Sequence, residues 1–103
     1  MVLPVCDHYS GVEVRMRKSL HLQAEMTQEF GACVFDVTLD CEDGAPVGGE
    51  IEHAHLVQEI AINTAPQARV AVRVHPVDHV SFLSDVQIIV GSAHHKLRHV
   101  MIP

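Results

Sequence analysis

Thr38-Leu39-Asp40-Cys41-Glu42-Asp43-Gly44 places three carboxylates and a glycine at the end of a short apolar, β-branched run. Acids so placed orient the waters of Mg²⁺, act as general base, or hold a cationic partner. A cationic partner is present in a second run, Ala68-Arg69-Val70-Ala71-Val72-Arg73-Val74-His75-Pro76. There Val70, Val72 and Val74 share one face, and Arg73 lies on the other near the carboxyl end. An arginine in a buried strand is costly unless paired, and its planar fork suits a carboxylate or an enolate oxygen. Acids on one strand and an arginine on its neighbour therefore predict an anion-plus-metal pocket. The alternatives are an internal Asp–Arg or Glu–Arg salt bridge and an acidic loop turned by Gly44.

Alternation on the first run sharpens this expectation. Val37, Leu39 and Cys41 point one way, and Thr38, Asp40 and Glu42 the other. A buried strand keeps such a polar face only where it opens on a solvated site or is paired. Glu42 and Asp43 fall where the chain turns out of the strand, so both can face a polar pocket. The nine histidines show no zinc spacing. His53 and His55 diverge on a helix, and His94-His95 is expected in a loop. His75 and His79, flanking a turn with proline, are the best placed. No Gly-rich phosphate loop, G-x-S-x-G or recognisable Cys/His pair occurs.

Four segments read as the strands that must hold these groups: Val2 to Cys6, Val34 to Cys41, Arg69 to His75 and Leu97 to Ile102. All are short, apolar and rich in Val or Ile, as strands buried on both faces are. Helical patterns lie between them. The first opens on Ser10-Gly11-Val12-Glu13, a capping box, carries Val12, Met16 and Leu20 on one face, and stops at Gly31. The second runs from about Glu50 to Ile62, with Ile51, Ala54, Val57 and Ala61 on one face. The third spans Ser81 to Val90, with Phe82, Val86 and Ile89 on one face and Gly91 after it. The order βαβαβαβ predicts a parallel α/β sheet with right-handed crossovers. Strand starts lie 32, 35 and 28 residues apart. A (β/α)₈ TIM barrel of ~250 residues uses about 31 per unit, so the chain has the rhythm of the first half of one. A small open α/β sheet is the alternative.

Composition bounds the rest. A chain of 103 residues is one domain, and 48% apolar residues argue against disorder. Thirteen acids against seven bases give a net charge of −6, which favours solubility and does not support a nucleic-acid surface. Arg15, Arg17 and Lys18 cluster on the first helix and read as a solvated face. No apolar run approaches the ~20 residues that cross a bilayer, and no secretory signal opens the chain. Three cysteines without C-x-x-C spacing fit free thiols in a reducing cytoplasm.

At these residues the chain resembles the HpcH/HpaI aldolase / citrate lyase β-subunit family, in its citrate-lyase-like branch. The family's second strand ends in D-x-E-D, matched by Asp40-Cys41-Glu42-Asp43. Its third strand carries an R-V-N-like motif, matched by Arg73-Val74-His75 with His in place of Asn. Its fourth strand ends in an apolar run followed by Pro-Lys, and here the run reaches Pro103. The resemblance implies a (β/α)₈ barrel that breaks or forms C–C bonds beside a carbonyl. The substrates it implies are acyl-CoA thioesters or 2-keto acids, with Mg²⁺ or another divalent cation. It implies that Arg73 contacts the substrate carbonyl or carboxylate. It also implies that Glu42 and Asp43 line the metal site, Asp40, Glu42 and Asp43 acting on the metal through water. The family's direct metal ligands come from later strands.

The chain is thus expected to be a partial barrel domain, residues 1–103, truncated after the fourth strand. One expectation is the N-terminal half of a metal-dependent C–C lyase. The other is a non-catalytic fragment acting at most as a binding or oligomerisation module. In either case association into homo-oligomers or through open sheet edges is expected, and neither nucleic acid nor membrane is a partner.

Overall fold

A computed structural model describes residues 6–10, 12–32, 35–42 and 47–103. Four strands form one sheet in the order β1-β2-β3-β4. They are β1 (Cys6–Ser10), β2 (Phe35–Asp40), β3 (Val70–Arg73) and β4 (Leu97–Met101). Every neighbouring pair is parallel. Helix α1 (Glu13–Phe30) joins β1 to β2, and α2 (Glu50–Ile62) joins β2 to β3. The third crossover is helical from Phe82 to Lys96 but not uniform. It runs as α3 (Phe82–Asp85), a π-helical turn (Val86–Val90), α4 (Gly91–Ala93) and a 3₁₀ turn (His94–Lys96). The sequential order is that of consecutive βα units, as the strand spacing predicts.

The helices cover one face of the sheet. Val37, Leu39 and Cys41 of the β2 run and Val70, Val72 and Val74 of the β3 run are buried there. Met16 of α1, Ala54, Val57, Ile60 and Ala61 of α2, and Ile89 and Ala93 of the third crossover complete this core. The opposite face is polar and ordered in rungs. The register pairs Thr38 with Ala71 and Asp40 with Arg73. One ion pair, Arg69–Asp36, closes the amino end of the two strands, and a second, Arg73–Asp40, closes the carboxyl end. Thr38 and Ala71 lie fully buried between the two.

Several expectations are corrected. The first strand reaches Ser10, beyond the expected end at Cys6; Val2–Val5, the rest of the expected strand, lie outside the described residues. Ser10 pairs with Leu39 in the ladder, so its backbone ends a strand rather than capping a helix. The N-cap of α1 is Val12, with no side-chain cap bond. Sheet pairing overrides the local capping signal. Gly31 does end α1: at φ 74° it donates its N–H to the Thr27 carbonyl, the left-handed stop that glycine adopts without steric cost. Ile51 is exposed, and His53 and Ile60 take its place on the buried face of α2. Gly91 does not end the third helix, because its backbone stays right-handed at φ −60°. The wider π turn before it carries the helix on, and His94-His95 sit in the 3₁₀ turn rather than a loop.

One buried side chain fastens the amino end of the sheet. The Gln23 amide of α1 donates to the Phe35 carbonyl (2.8 Å) and the Arg69 carbonyl (3.0 Å). Its oxygen accepts from the Arg69 amide at 3.2 Å. The glutamine thus serves backbone groups of both β2 and β3 where no helix backbone can. Gln23→Leu keeps the bulk and deprives these groups of that partner. It is expected to lower stability by about 2–4 kcal/mol, read as a fall in the urea midpoint at unchanged slope. A midpoint equal to wild type would remove Gln23 from this role.

Candidate functional site

The site is built where β2 and β3 end. Arg73 donates from Nε to Asp40 Oδ1 at 3.0 Å and from Nη2 to Asp40 Oδ2 at 2.5 Å. This two-point contact fixes the plane of the guanidinium as well as its position. Asp40 is held in turn, its Oδ1 also accepting the Glu42 amide at 2.9 Å. Glu42 then turns back, bringing Oε1 to 3.4 Å from Arg73 Nη1. Asp40 is nearly buried at 6% exposure, whereas Arg73 and Glu42 keep 21% and 26%. The inner pair orients and the outer pair meets solvent. From beneath, His53 Nε2 of α2 lies 3.0 Å from the Asp40 carbonyl. A carbonyl only accepts, so Nε2 carries the hydrogen.

Of the residues singled out by sequence, the structure brings Asp40, Glu42 and Arg73 together. Asp43 lies outside the described residues. Both carboxylate oxygens of Asp40 accept from Arg73, and one of them also from the Glu42 amide. Among the described residues no group of three or more His, Cys, Asp or Glu side chains could hold a metal ion. The described residues therefore do not fit a metal cage, and Glu42, at 26% exposure, is more open to solvent than Asp40.

Two further features adjoin the cluster. Cys41 is buried, and its amide donates to the Arg73 carbonyl at 2.8 Å. Burial, then the charges of Asp85 and Asp40, push its thiol well above the ordinary 9.0. Beyond Arg73, His75 Nδ1 meets Asp85 Oδ2 at 2.5 Å, and the same oxygen accepts the His75 amide at 2.9 Å. Asp85 lies on the buried face of the third helix, three residues after Phe82 and four before Ile89. That acid at apolar helical spacing was the legible sign of a partnered buried carboxylate, and the sequence reading passed over it. His53 carried no such sign. The open groove between α1 and α2, about 280 Å³, lies toward the amino end beside Gln23 and Ala68, away from this chemistry.

The Cys41 environment has a consequence for pH. The folded thiol stays protonated while the unfolded thiol ionises above about 9, so above that pH the native state binds the extra proton. The stabilisation is fully present below pH 9 and is lost as pH rises through the raised folded value. The expected loss approaches about 1.4 kcal/mol per pH unit above 9. In a Cys6→Ser, Cys33→Ser background, Cys41 should also resist disulfide reagents at pH 8 until the protein is unfolded. Labelling at the rate of a free thiol would contradict this burial.

These features define a class: a parallel α/β protein whose adjacent strands deliver acids and an oriented arginine to a shared carboxyl edge. A crystal structure of a citrate lyase from Burkholderia xenovorans LB400 matches it with a TM-score of 0.72 and 46% identity over 89% of this chain. The chain belongs to the citrate-lyase-like, HpcH/HpaI-type family and corresponds to its N-terminal part. It covers 27% of that structure, about a quarter of its length. No family model and no curated protein matches the chain.

Proposed function

We propose that the protein containing this chain is a carbon–carbon lyase that cleaves beside a carbonyl in acyl-CoA or 2-keto acid substrates. The observation that carries this is the Arg73 guanidinium, aimed by Asp40 at the carboxyl edge of a chain 46% identical to a citrate lyase. A substrate carboxylate or carbonyl oxygen displaces the long Glu42 contact and takes the guanidinium N–H donors. Charge that develops on that oxygen as the bond breaks is then met by a donor already in place, which is where preorganised hydrogen bonds act most strongly. Glu42, released, faces the same pocket, and Asp43 follows it in the chain. The sheet order is that of a barrel wall, and in this reading further βα units close a (β/α)₈ barrel around the edge.

A divalent cation, Mg²⁺ for example, belongs to this reading through the family, with its direct ligands outside the described residues. Bound, it would stabilise an enolate oxygen. Cytoplasmic placement accords with the free buried thiol of Cys41. Among the described residues no helix is long and apolar enough to cross a membrane.

The test is direct. The full-length protein is assayed with citryl-CoA and with 4-hydroxy-2-oxopentanoate, with Mg²⁺ and with EDTA. Cleavage of one probe class that stops with EDTA is expected. Failure of both classes across several divalent metals would defeat the lyase reading.

A further inference from the structure

We propose that the outer face of α1 is a two-fold interface with a second copy of this chain, the two helices packing antiparallel across Leu22. This face is separate from the Arg73 cluster, and its role does not depend on the lyase reading.

α1 turns Met16 and Gln23 into the molecule. Arg15, Lys18, Leu22, Glu25 and Glu29 lie on the opposite side, and all five are exposed. Their spacing of three, four, three and four residues keeps them in one stripe along the helix. Val14 adds a second exposed apolar side chain at its edge. The stripe is divided by charge: bases occupy its amino half, acids its carboxyl half, and Leu22 stands between them. Arg17 is not part of it, since Arg17 pairs with Glu13 and Glu59 on the flank toward α2.

That division runs against the helix itself. A helix dipole favours acids at the amino end and bases at the carboxyl end, yet the last turn of α1 carries Glu29 and no base. The charges also go unanswered within the chain. Among the described residues Arg15, Lys18 and Glu29 form no ion pair, and Glu25 meets His21 of its own helix at 2.6 Å.

An antiparallel copy answers both features. Arg15 and Glu29 each lie seven residues from Leu22, about 10.5 Å along the axis. A two-fold axis between Leu22 and its mate therefore sets Arg15 against Glu29 of the second copy, and Glu29 against Arg15 of the second copy. Lys18 is four residues before Leu22 and Glu25 three after it, so these two fall within about 1.5 Å of the same level. Each helix then receives acids near its amino end and bases near its carboxyl end, as its dipole favours. A partner of uniform charge is repelled by half of the stripe. A second copy presents the same halves reversed and satisfies all of it. The stripe faces away from the sheet, so this contact is distinct from pairing at open strand edges.

Sedimentation of the full-length protein tests this. Wild type should form an assembly with an even number of copies that weakens as salt is raised. Arg15→Glu and Glu29→Arg should each raise the dissociation constant at least roughly 10-fold, through like charges set face to face, and halve the mass at micromolar concentration. Mixing the two single variants should restore the wild-type mass, because each then meets opposite charge in the other. The double variant should restore it alone. Mixing does not repair a folding defect, so restoration isolates the interface. In a Cys6→Ser, Cys33→Ser background, Leu22→Cys should cross-link to a dimer under mild oxidation faster than Gln28→Cys, which lies off the stripe. A monomeric or odd-numbered wild type, unchanged mass in both single variants, a mixture that stays dissociated, or equal cross-linking at the two positions would overturn the proposal.

Discussion

Arg73→Ala in the full-length protein is expected to reduce kcat/KM by roughly 10²–10³ and to destabilise the fold at the same time. The first effect is the loss of a preorganised donor toward the developing negative oxygen. The second arises because Asp40 is 6% exposed and accepts from Arg73 through both oxygens. Removing one partner of a buried ion pair costs ~3–5 kcal/mol, most of it from the charge left behind. Here Arg73 itself keeps 21% exposure, so water enters the gap and about 2–4 kcal/mol is expected. Arg73→Lys separates the two effects. It retains the charge beside Asp40 and most of the stability, but a point charge cannot reproduce the two-point contact that sets the plane of the guanidinium. Activity should stay low while the denaturation midpoint recovers. Asp40→Asn should lower kcat/KM through loss of that plane, and Arg73→Ala with Asp40→Ala should cost less than their sum, since the residues act as one unit. Strict additivity, or a fully active lysine variant, would show that Asp40 does not aim Arg73.

Residues 1–103 expressed alone should be inactive and should associate. β4 pairs with β3 and β1 with β2, so each has a described partner on one side. Unpaired strand edges recruit other chains. The polar face between them carries the Asp36–Arg69 and Asp40–Arg73 rungs, which suit a closed interior better than open water. Sedimentation should show concentration-dependent dimers or larger species, and lyase activity with added Mg²⁺ should be absent. The full-length protein, examined in parallel, should be active and of defined size. A stable, cooperative 103-residue monomer that cleaves citryl-CoA in a metal-dependent way would overturn this expectation.

The sequence determined the parts of this protein that depend on periodicity. A two-residue alternation must send Val37, Leu39 and Cys41 to one side and Asp36, Thr38 and Asp40 to the other, whatever the chain packs against. The same holds for the valines of β3 and for Arg73. Once the strands pair in parallel at matched register, Asp40 and Arg73 must meet, so the acid–arginine cluster was legible before any coordinates. The extents of α1 at its carboxyl end and of α2 were legible for the same reason: glycine and the Asn63-Thr64-Ala65-Pro66 run leave a helix little choice.

What only the tertiary structure decided depends on groups far apart in sequence. Ser10 carries a helix-start signal, but the ladder to Leu39 claims its backbone, and a ladder outweighs one side-chain cap. Gln23 looks like a surface residue of a polar helix, and it is buried because Phe35 and Arg69 present unsatisfied backbone groups there. The choice between an ion pair and an open pocket turned on exposure: Asp40 is enclosed while Arg73 and Glu42 reach solvent, so one cluster holds both a structural pair and a solvent-facing edge. The burial of Asp85 had a local sign, but its partner did not: His75 lies ten residues away at the end of β3, and only the packing of the third crossover brings the two together. Strand and helix faces follow from local geometry; which polar group is buried, and against what, follows from the packing of the whole.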